Sequence, residues 1–316
     1  HATLLPSDCA KFDKVICGEG EVVLPEILAG NLNASVVRAE RIKDLDSLPL
    51  PAWDLLPAER IFSRELFPGE KYGQGEPAAT VMGSRGCPFQ CNFCGNMLRA
   101  PVIYLDPESY AAQLHHLKHT YNINFFRLED DNITLNKKWF AELMRWLQGL
   151  HIRFKCHTRA DLLDIWQAQY LRWAGCEELG FGAETGDDKL LALHHKGFTV
   201  ADQIKAIRLA KASGLRSKVY LIAGLPGETV ESVELTKKFV LTAQPDRWTL
   251  SRFTPFPGSA IWAEPARFGI TLNGASFKNF WNFYSSPSYQ MEGVSKAELN
   301  TRYRSLYYFL RRNCGG

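Results

Sequence analysis

Residues 83–94 read Gly83-Ser84-Arg85-Gly86-Cys87-Pro88-Phe89-Gln90-Cys91-Asn92-Phe93-Cys94, and this stretch decides how the chain is organised. The short apolar run 79–82 precedes it, and glycine and proline surround the cysteines. This pattern predicts a loop that leaves the end of a β-strand. The loop carries three cysteines at the spacing C-x3-C-x2-C.

Three thiolates at this spacing favour an iron–sulfur cluster. A [4Fe–4S] cluster is usually held by four cysteines, so three local ones leave one iron open to a substrate or cosubstrate. Structural zinc normally has four ligands in paired C-x2-C arrangements, and no second pair exists here. Three neighbouring cysteines cannot pair evenly as disulfides, and we expect a cytoplasmic protein with reduced thiols. Cys87, Cys91 and Cys94 are therefore predicted to be metal ligands at a catalytic centre.

The composition is that of an ordinary globular protein. The chain has 316 residues, 46% of them hydrophobic and 22% charged, which allows a sizeable core. The net charge is +3 and the basic residues are scattered, so we predict no nucleic-acid partner. No apolar run reaches the roughly 18 residues of a membrane span, and no signal peptide is visible. The chain begins at His1 rather than Met, and we expect a fragment or a processed chain.

Strand and helix patterns alternate from Ala79 onward. Strands are predicted at 79–82, 123–128, 152–156, 178–182, 217–223 and 247–252. Helices are predicted at 107–119, 136–150, 162–174, 199–213 and 230–243. Such repeats imply an α/β fold with a parallel sheet and right-handed crossovers. Six units fit an open or partial barrel better than a closed barrel of eight strands.

The flanking segments differ from this repeat. Residues 1–33 contain a short strand, a Gly-Glu-Gly-Glu turn and a helical stretch, too little to bury a core alone. Residues 34–78 form a proline-rich linker, and residues 261–316 a C-terminal helical segment that starts its last helix with the capping box Ser295-x-x-Glu298. The aromatic residues of that segment are expected to pack as core or as a lid: Phe277, Phe280, Trp281, Phe283, Tyr284, Tyr289, Tyr303, Tyr307, Tyr308 and Phe309.

At the cysteine loop the sequence resembles the radical S-adenosylmethionine (SAM) superfamily. In that family the cysteines of C-x3-C-x-aromatic-C hold a [4Fe–4S] cluster, and SAM chelates the fourth iron through its amino and carboxylate groups. Phe93 fills the aromatic position. The resemblance implies a (β/α)6 partial TIM barrel over residues 79–260, with its active site at the carboxyl ends of the strands. It also implies reductive cleavage of SAM and hydrogen abstraction from an organic substrate.

Polar residues after the second and third predicted strands resemble family segments that contact SAM. The segment Leu128-Glu129-Asp130-Asp131-Asn132 stands where many members have Gly-Gly-Glu, so Glu129 and Asp130 are predicted to meet the amino group. An acidic cap of a helix is the alternative. Arg159 is predicted to pair with the SAM carboxylate, and a structural salt bridge is the alternative.

The fourth strand end supplies two more predicted contacts. Glu184, in Gly-Ala-Glu-Thr-Gly, resembles the residue that accepts from a ribose hydroxyl or the amino group. Lys196, in the pattern Lys-Gly-x-Thr, resembles a residue that approaches the carboxylate, and a solvated lysine at a helix end is the alternative.

The last two strand ends complete the family pattern. The segment 222–228 resembles the adenine-contacting Gly-Leu-Pro-Gly-Glu, so the resemblance implies contacts from Ala223, Gly224 and Leu225. A glycine there lets the backbone approach a flat base closely. The segment 254–259 resembles Thr-Pro-x-Pro-Gly-Thr, with Ser259 in place of the last threonine.

The flanks are similar to the cobalamin-associated class of this superfamily. His-Ala-Thr-x-x-Pro and Gly-Glu-Gly-Glu resemble the tail of a cobalamin-binding domain, although the corrin-ligating Asp-x-His-x-x-Gly is absent from this chain. The alternative is that residues 1–33 only extend the packing of the barrel. Cobalamin is therefore a cofactor that the class implies and this chain does not itself indicate.

The resemblance implies hydrogen abstraction coupled to cobalamin-dependent methyl transfer to carbon. The alternatives are a non-methylating oxidoreductase or cyclase, such as those acting on tetrapyrroles, and a plain iron–sulfur electron carrier. The expected partners are a small-molecule or bulky apolar substrate and a reductant such as flavodoxin or ferredoxin.

Overall fold

The protein is described here by a computed structural model, which covers residues 2–57, 62, 65–67, 70–71, 76–96, 101–274 and 287–314. Five of the predicted C-terminal aromatics, at positions 277, 280, 281, 283 and 284, lie outside these residues. In chain order the strands are β1 (Val15–Cys17), β2 (Val36–Arg38), β3 (Glu65–Phe67), β4 (Glu70–Lys71), β5 (Ala78–Val81), β6 (Ser84–Arg85), β7 (Ile103–Tyr104), β8 (Phe125–Leu128), β9 (Arg153–Thr158), β10 (Cys176–Glu184), β11 (Arg216–Ala223), β12 (Arg247–Arg252), β13 (Ile270–Leu272) and β14 (Tyr289–Met291).

The helices lie mainly between the strands of the second half of this series. They are α1 (Val23–Leu28), α2 (Pro107–Tyr121), α3 (Lys137–Leu150), α4 (Ile165–Trp173), α5 (Asp188–Leu193), α6 (Val200–Ala212), α7 (Val230–Ala243), α8 (Ala260–Ala263) and α9 (Lys296–Asn313). Short 3₁₀ turns cover Pro6–Cys9, Trp53–Leu55, Ala160–Leu162 and Pro265–Phe268.

Six parallel strands form the central sheet, in the order β12-β11-β10-β9-β8-β5. Neighbours in the sheet are also successive strands of the repeat, so each helical connection returns the chain to start the next strand in the same direction. The carboxyl ends of all six strands therefore meet at one edge. The predicted α/β class and the partial barrel are confirmed.

Strand β9 shows how the sheet separates two environments. Phe154 and Cys156 are buried in the hydrophobic core beneath the helices. The alternating residues Lys155 and His157 point to the other face, because side chains of a strand alternate. The inner face of the sheet thus carries charged and polar side chains toward the strand ends.

Local capping fixes where several helices begin. The capping box predicted from Ser295 with Glu298 is present, and Thr199 with Asp202 forms another at the start of α6. The helix predicted from residue 162 begins later: a 3₁₀ turn ends at Leu162, and α4 starts at Ile165 behind a capping box of Asp164 and Gln167. Asp164 satisfies free N–H groups of the first turn, which moves the start of the helix. Helix α5, a short turn after β10, was not predicted.

The N-terminal segment forms a small unit of its own. Strands β1 and β2 pair in parallel, and α1 connects them. Their pairing therefore crosses the predicted boundary between residues 33 and 34. The division into 1–33, 34–78, 79–260 and 261–316 stays a prediction. Among the helices of the described residues, none is long and apolar enough to cross a membrane.

Candidate active site

The cysteine loop starts at the end of β5, as the sequence predicts. The Gly83 carbonyl accepts from the backbone N–H of Leu105 at 2.8 Å, and β6 pairs with β7 directly after it. A Cβ atom on Gly83 would lie 2.1 Å from a ring carbon of Tyr110. Glycine is required here because the loop crosses directly over a buried aromatic ring.

The three loop cysteines are free thiols, and each sulfur receives a donor. The Asn132 amide donates to Cys87 Sγ at 3.4 Å, and the backbone N–H of Asn96 donates to Cys94 Sγ at 3.4 Å. The Arg159 guanidinium donates to Cys91 Sγ at 3.7 Å. Burial raises the pKa of the Cys87 thiol. These contacts place N–H dipoles and one positive charge where thiolate sulfurs need them.

A cavity of about 400 Å³ opens in front of these cysteines. The loop contributes Cys87, Phe89, Cys91, Phe93, Cys94 and Asn96 to its wall. The ends of four strands and the turn after α5 contribute Arg127, Glu129, Asp131, Asn132, His157, Thr158, Arg159, Gly182, Glu184, Lys196 and Tyr220. The cavity therefore joins the thiols to most of the charged residues that the sequence singles out.

The acidic segment after β8 divides between this cavity and the core. Glu129 lines the cavity, where it forms an ion pair with Arg127 and lies 3.1 Å from His157 Nε2. Asp130 does not line it. Its carboxylate is buried and accepts from Gly83 and Ser84, which hold the start of the loop. The adjacent Asp131 reaches the cavity instead.

Asp130 is thus placed to anchor the loop, and the predicted contact with SAM is not what its geometry supports. Glu129 and Asp130 leave the strand end in different directions, and of these two only Glu129 lines the cavity. Burial raises the pKa of the Asp130 carboxyl to about 6.

Arg159 forms the structural salt bridge that was its predicted alternative, and its pairing with the SAM carboxylate stays a prediction. Its guanidinium forms a two-point ion pair with Asp161 at 3.0 Å for both bonds, and it donates to the Lys196 carbonyl. It also lies 3.6 Å over the ring of Phe89. The side chain is 6% exposed, so a rigid positive charge is held at the cavity wall beside Cys91.

Glu184 and Lys196 form a buried ion pair in the same cavity wall. Glu184 Oε1 lies 3.0 Å from Lys196 Nζ, and Nζ also lies 5.6 Å from the ring centre of Phe93. Glu184 has φ +63°, an uncommon backbone conformation for a residue with a side chain, at an irregularity of β10. Gly182 leaves room for the pair, because a Cβ there would lie 2.8 Å from Glu184 Oε1. Backbone strain of this kind is concentrated at functional sites.

The segment after β11 is close to the site but does not line this cavity. Ala223 and Leu225 are buried, and the Gly224 N–H donates to Glu228 Oε2 at 2.9 Å. Tyr289 of the C-terminal segment donates to the Gly224 carbonyl. Gly224 has φ +84°, and a Cβ on it would lie 2.6 Å from the Tyr289 hydroxyl. The close approach that glycine permits here is made by Tyr289.

A second cavity of about 210 Å³ adjoins the first. Phe93, Glu184 and Tyr220 belong to both walls. Most of the remaining wall comes from the ends of β11 and β12, including Ile222, Phe253 and Phe256. This smaller space is more apolar than the first, and it gives the site two compartments.

The family profile described as the Radical SAM superfamily matches residues 81–240 of the chain. The chain belongs to the radical SAM superfamily. This stretch contains the cysteine loop, every cavity residue of the first compartment and the first five strands of the sheet except the beginning of β5.

Radical SAM relatives match the chain over most of its length. An uncharacterized methyltransferase of Pyrococcus horikoshii is 30% identical over 335 residues, covering 97% of this chain and 71% of the relative. The anaerobic magnesium-protoporphyrin IX monomethyl ester cyclase of Cereibacter sphaeroides is 26% identical over 324 residues, covering 94% of this chain but 51% of the cyclase. The chain thus spans about half of the cyclase's length. These methyltransferase and cyclase relatives support an enzyme.

Solved radical SAM structures share the fold. The methyltransferase TsrM from Kitasatospora setae, with tryptophan and a SAM analogue bound, superposes with a TM-score of 0.60 at 16% identity, over 73% of this chain and 52% of TsrM. OxsB, with aqua-cobalamin and SAM bound, gives 0.60 at 19% identity, over 76% of this chain and 38% of OxsB. These neighbours confirm the barrel, and they bind SAM and cobalamin.

The residues of this radical SAM site fit a [4Fe–4S] cluster. Among the described residues no three Cys, His, Asp or Glu side chains are grouped to hold a single metal ion. A four-iron cluster has a different requirement, because each thiolate binds its own iron. Three free thiols around one cavity, each with an N–H donor, meet that requirement.

Nine residues of the first cavity were not among the predicted contacts: Phe89, Asn96, Arg127, Asp131, Asn132, His157, Thr158, Gly182 and Tyr220. Asn132 and His157 lie in segments that the motifs select, each two residues from a predicted contact. Tyr220 lies on β11, and its side chain is on the opposite face of the sheet from that of the buried Leu221. A polar side chain that alternates with buried apolar neighbours near the carboxyl end of a strand is the signal that would have identified it.

Proposed function

We propose that this chain is a radical SAM enzyme in which Cys87, Cys91 and Cys94 hold a [4Fe–4S] cluster and the first cavity holds SAM. The observation that carries the proposal is the meeting of three free thiols with buried charges of both signs in one cavity of about 400 Å³. When bound, the cluster supplies the electron that splits SAM and starts radical chemistry on the substrate.

The side chains of the cavity have complementary roles in this proposal. SAM carries an amino and a carboxylate group, and Glu129 and Arg159 offer the opposite charge to each. Glu184 accepts from a ribose hydroxyl or from the amino group, and it forms a buried ion pair with Lys196. Phe93 lines both cavities. Ala223, Gly224 and Leu225, which follow the lining residues Leu221 and Ile222 of the adjoining apolar compartment, are proposed to border the adenine.

We further propose that the reaction is hydrogen abstraction followed by cobalamin-dependent methyl transfer to carbon. The similarity to the methyltransferase of Pyrococcus horikoshii over 97% of this chain supports it. A cobalamin site is not proposed on this chain, because its corrin-ligating signature is absent. The cytoplasmic location and the flavodoxin or ferredoxin reductant stay predictions.

A non-methylating oxidoreductase or cyclase is the second candidate. It is favoured by the similarity to the magnesium-protoporphyrin cyclase over 94% of this chain. The two candidates differ in what becomes of SAM. Methyl transfer yields S-adenosylhomocysteine together with 5′-deoxyadenosine, whereas ring closure or oxidation yields 5′-deoxyadenosine alone.

The deciding experiment is product analysis of the cluster-loaded protein incubated with SAM and a strong reductant. Formation of 5′-deoxyadenosine supports radical SAM chemistry, and the Cys91→Ala variant is the control that should form none. If wild-type protein with a full cluster leaves SAM intact, the plain electron carrier becomes the better reading.

A further inference from the structure

Three side chains from three strands form a hydrogen-bonded chain along the first cavity. His157 of β9 lies at its centre. His157 Nε2 is 3.1 Å from Oε1 of Glu129, which follows β8, and His157 Nδ1 is 3.1 Å from the hydroxyl of Tyr220 on β11. All three residues line the cavity.

A glycine on the intervening strand makes this chain possible. Strand β10 lies between β9 and β11, and its Gly180 is the register partner of His157. A Cβ on Gly180 would lie 2.6 Å from His157 Nδ1 and 2.8 Å from a ring carbon of Tyr220. Any other residue at 180 would therefore occupy the space in which the imidazole and the phenol meet.

Charge fixes the direction of the hydrogen bonds. Arg127 forms an ion pair with Glu129 Oε1, so Glu129 is a carboxylate and can only accept. His157 Nε2 must then carry the hydrogen, which leaves Nδ1 as the acceptor for the Tyr220 O–H.

The surroundings of His157 agree with this neutral tautomer. Burial and, to a smaller extent, the nearby cations Arg127, Lys155 and Lys218 lower the pKa of His157 to about 3, against the opposing effect of Glu178. The imidazole is uncharged near pH 7, so it has one donor and one acceptor, as the chain requires.

We propose that His157 and Tyr220 are positioning residues that orient Glu129 toward the amino group of SAM. This role presupposes the SAM site of the proposed function. Arg127 and His157 both contact Oε1, so Oε2 is the oxygen of Glu129 that remains for the cofactor. Tyr220 acts through His157, because the phenol fixes the ring orientation and the tautomer that present Nε2–H to Glu129.

The principal test compares the binding of SAM and of an analogue without its amino group, in variants of Tyr220 and Glu129. SAM affinity is measured by equilibrium dialysis on cluster-loaded protein, with SAM and with an analogue in which hydrogen replaces the α-amino group. Tyr220→Phe removes only the hydroxyl and should weaken SAM about three- to tenfold, the range of one net hydrogen bond. The analogue without the amino group should bind wild-type protein and Tyr220→Phe with equal affinity. In a Glu129→Gln background, Tyr220→Phe should have no further effect.

The matched control is Tyr170→Phe on helix α4, whose ring packs between Trp166 and Trp173 outside the cavity. It should leave both affinities unchanged. The proposal is overturned if Tyr220→Phe leaves SAM affinity intact, or weakens SAM and the analogue equally. If the wild-type cluster-loaded protein does not bind SAM at all, the proposed function fails and this role with it.

A second readout needs no cofactor. In metal-free protein labelled with ¹⁵N-histidine, His157 should show the Nε2–H tautomer and stay neutral across pH 5–8. Tyr220→Phe and Gly180→Ala should each shift its Nδ1 resonance, because both remove the phenol from that nitrogen. An Nδ1–H tautomer would contradict the proposed hydrogen bonds, and so would an Nδ1 resonance that stays unchanged in Tyr220→Phe. Both outcomes can be read even if Gly180→Ala fails to fold.

Discussion

The hydroxyl of Ser84 donates to the buried carboxylate of Asp130 at 2.6 Å, and this contact fixes the start of the cysteine loop against the end of β8. Ser84→Ala removes one donor from a buried charged acceptor. We expect it to lower the free energy of unfolding by about 1.5–3 kcal/mol at pH 7.5, measured by denaturant unfolding of the metal-free protein. Ser35→Ala, at an exposed position, should change it little. An unchanged stability in Ser84→Ala would contradict the anchoring role of this pair.

Asp130 also predicts a dependence of stability on pH. Burial raises the pKa of its carboxyl from 3.8 to about 6 in the folded protein. The folded state then holds the proton more tightly than the unfolded state, so this contribution to stability is complete below about pH 4 and is lost as the pH rises through about 6. A difference of about two units corresponds to roughly 3 kcal/mol.

The variant Asp130→Asn cannot titrate and should lack this component. The difference in free energy of unfolding, Asp130→Asn minus wild type, should therefore become more positive by up to about 3 kcal/mol as the pH rises from 4 to 7. Asp54→Asn, at an exposed position, is the control and should follow wild type. A constant difference between Asp130→Asn and wild type across this range would show that Asp130 keeps an ordinary pKa.

The cysteine loop predicts a specific iron content. Anaerobically reconstituted protein should hold about four irons, the stoichiometry of one [4Fe–4S] cluster. Cys91→Ala should lose the visible absorbance of the cluster, because one of its three protein ligands is gone. Cys314→Ala, behind the last helix, should keep both iron and absorbance. Full iron content in Cys91→Ala would remove this loop from its assigned role.

The charged walls of the cavity predict how variants respond to SAM. Adding SAM to the reduced wild-type cluster should change its electron paramagnetic resonance signal, because the ligands of one iron change. Arg159→Ala should keep the cluster yet need about tenfold more SAM, since a charge-assisted bond contributes ~1.5–3 kcal/mol.

Glu184→Gln should behave like Arg159→Ala and is preferable to alanine. Gln keeps a hydrogen-bonding group beside the buried Lys196, whereas alanine leaves that charge uncompensated. Arg145→Ala, on the exposed side of α3, is the control and should titrate like wild type. If SAM leaves the wild-type signal unaltered, the open iron is not a SAM site.

The absent corrin-ligating signature predicts weak cobalamin binding or none by residues 1–316. The measurement is the cobalamin that remains with the protein after gel filtration, read from its visible spectrum. Tight, stoichiometric binding would mean that the barrel or the C-terminal segment holds the corrin. The same experiment on a longer chain that carries the signature is the positive control.

The strands and the loop could be predicted from sequence because their signals are local. The apolar run of β5, the cysteine spacing and the capping boxes at Thr199 and Ser295 each lie within a few residues. Parallel topology then follows from the alternation, since it brings all carboxyl ends to one edge. The predicted Glu129, Arg159, Glu184 and Lys196 reach one cavity for this reason.

Other features depend on contacts between distant residues. The turn of Asp130 away from the cavity and into the core is decided by where Ser84 and Tyr110 lie, 46 and 20 residues away. Tyr289 reaches Gly224 across 65 residues, and no pattern around Gly224 indicates that its carbonyl is covered by the C-terminal segment. The meeting of His157 with Tyr220 requires knowing that a glycine lies between them in the sheet.

The ion pairs of Arg85, two residues before the first cysteine, have a consequence for trimming the protein. Arg85 lies 2.6 Å from Glu19 and 2.7 Å from Glu21, so the Gly-Glu-Gly-Glu turn neutralises the arginine that leads into the cluster loop. A barrel-only protein cut at residue 76 would retain every residue of the first cavity and lose both of these carboxylates. Its loop would carry a half-buried, unneutralised charge immediately beside Cys87. A minimal catalytic module of this enzyme therefore begins upstream of residue 19, well before the first strand of its barrel.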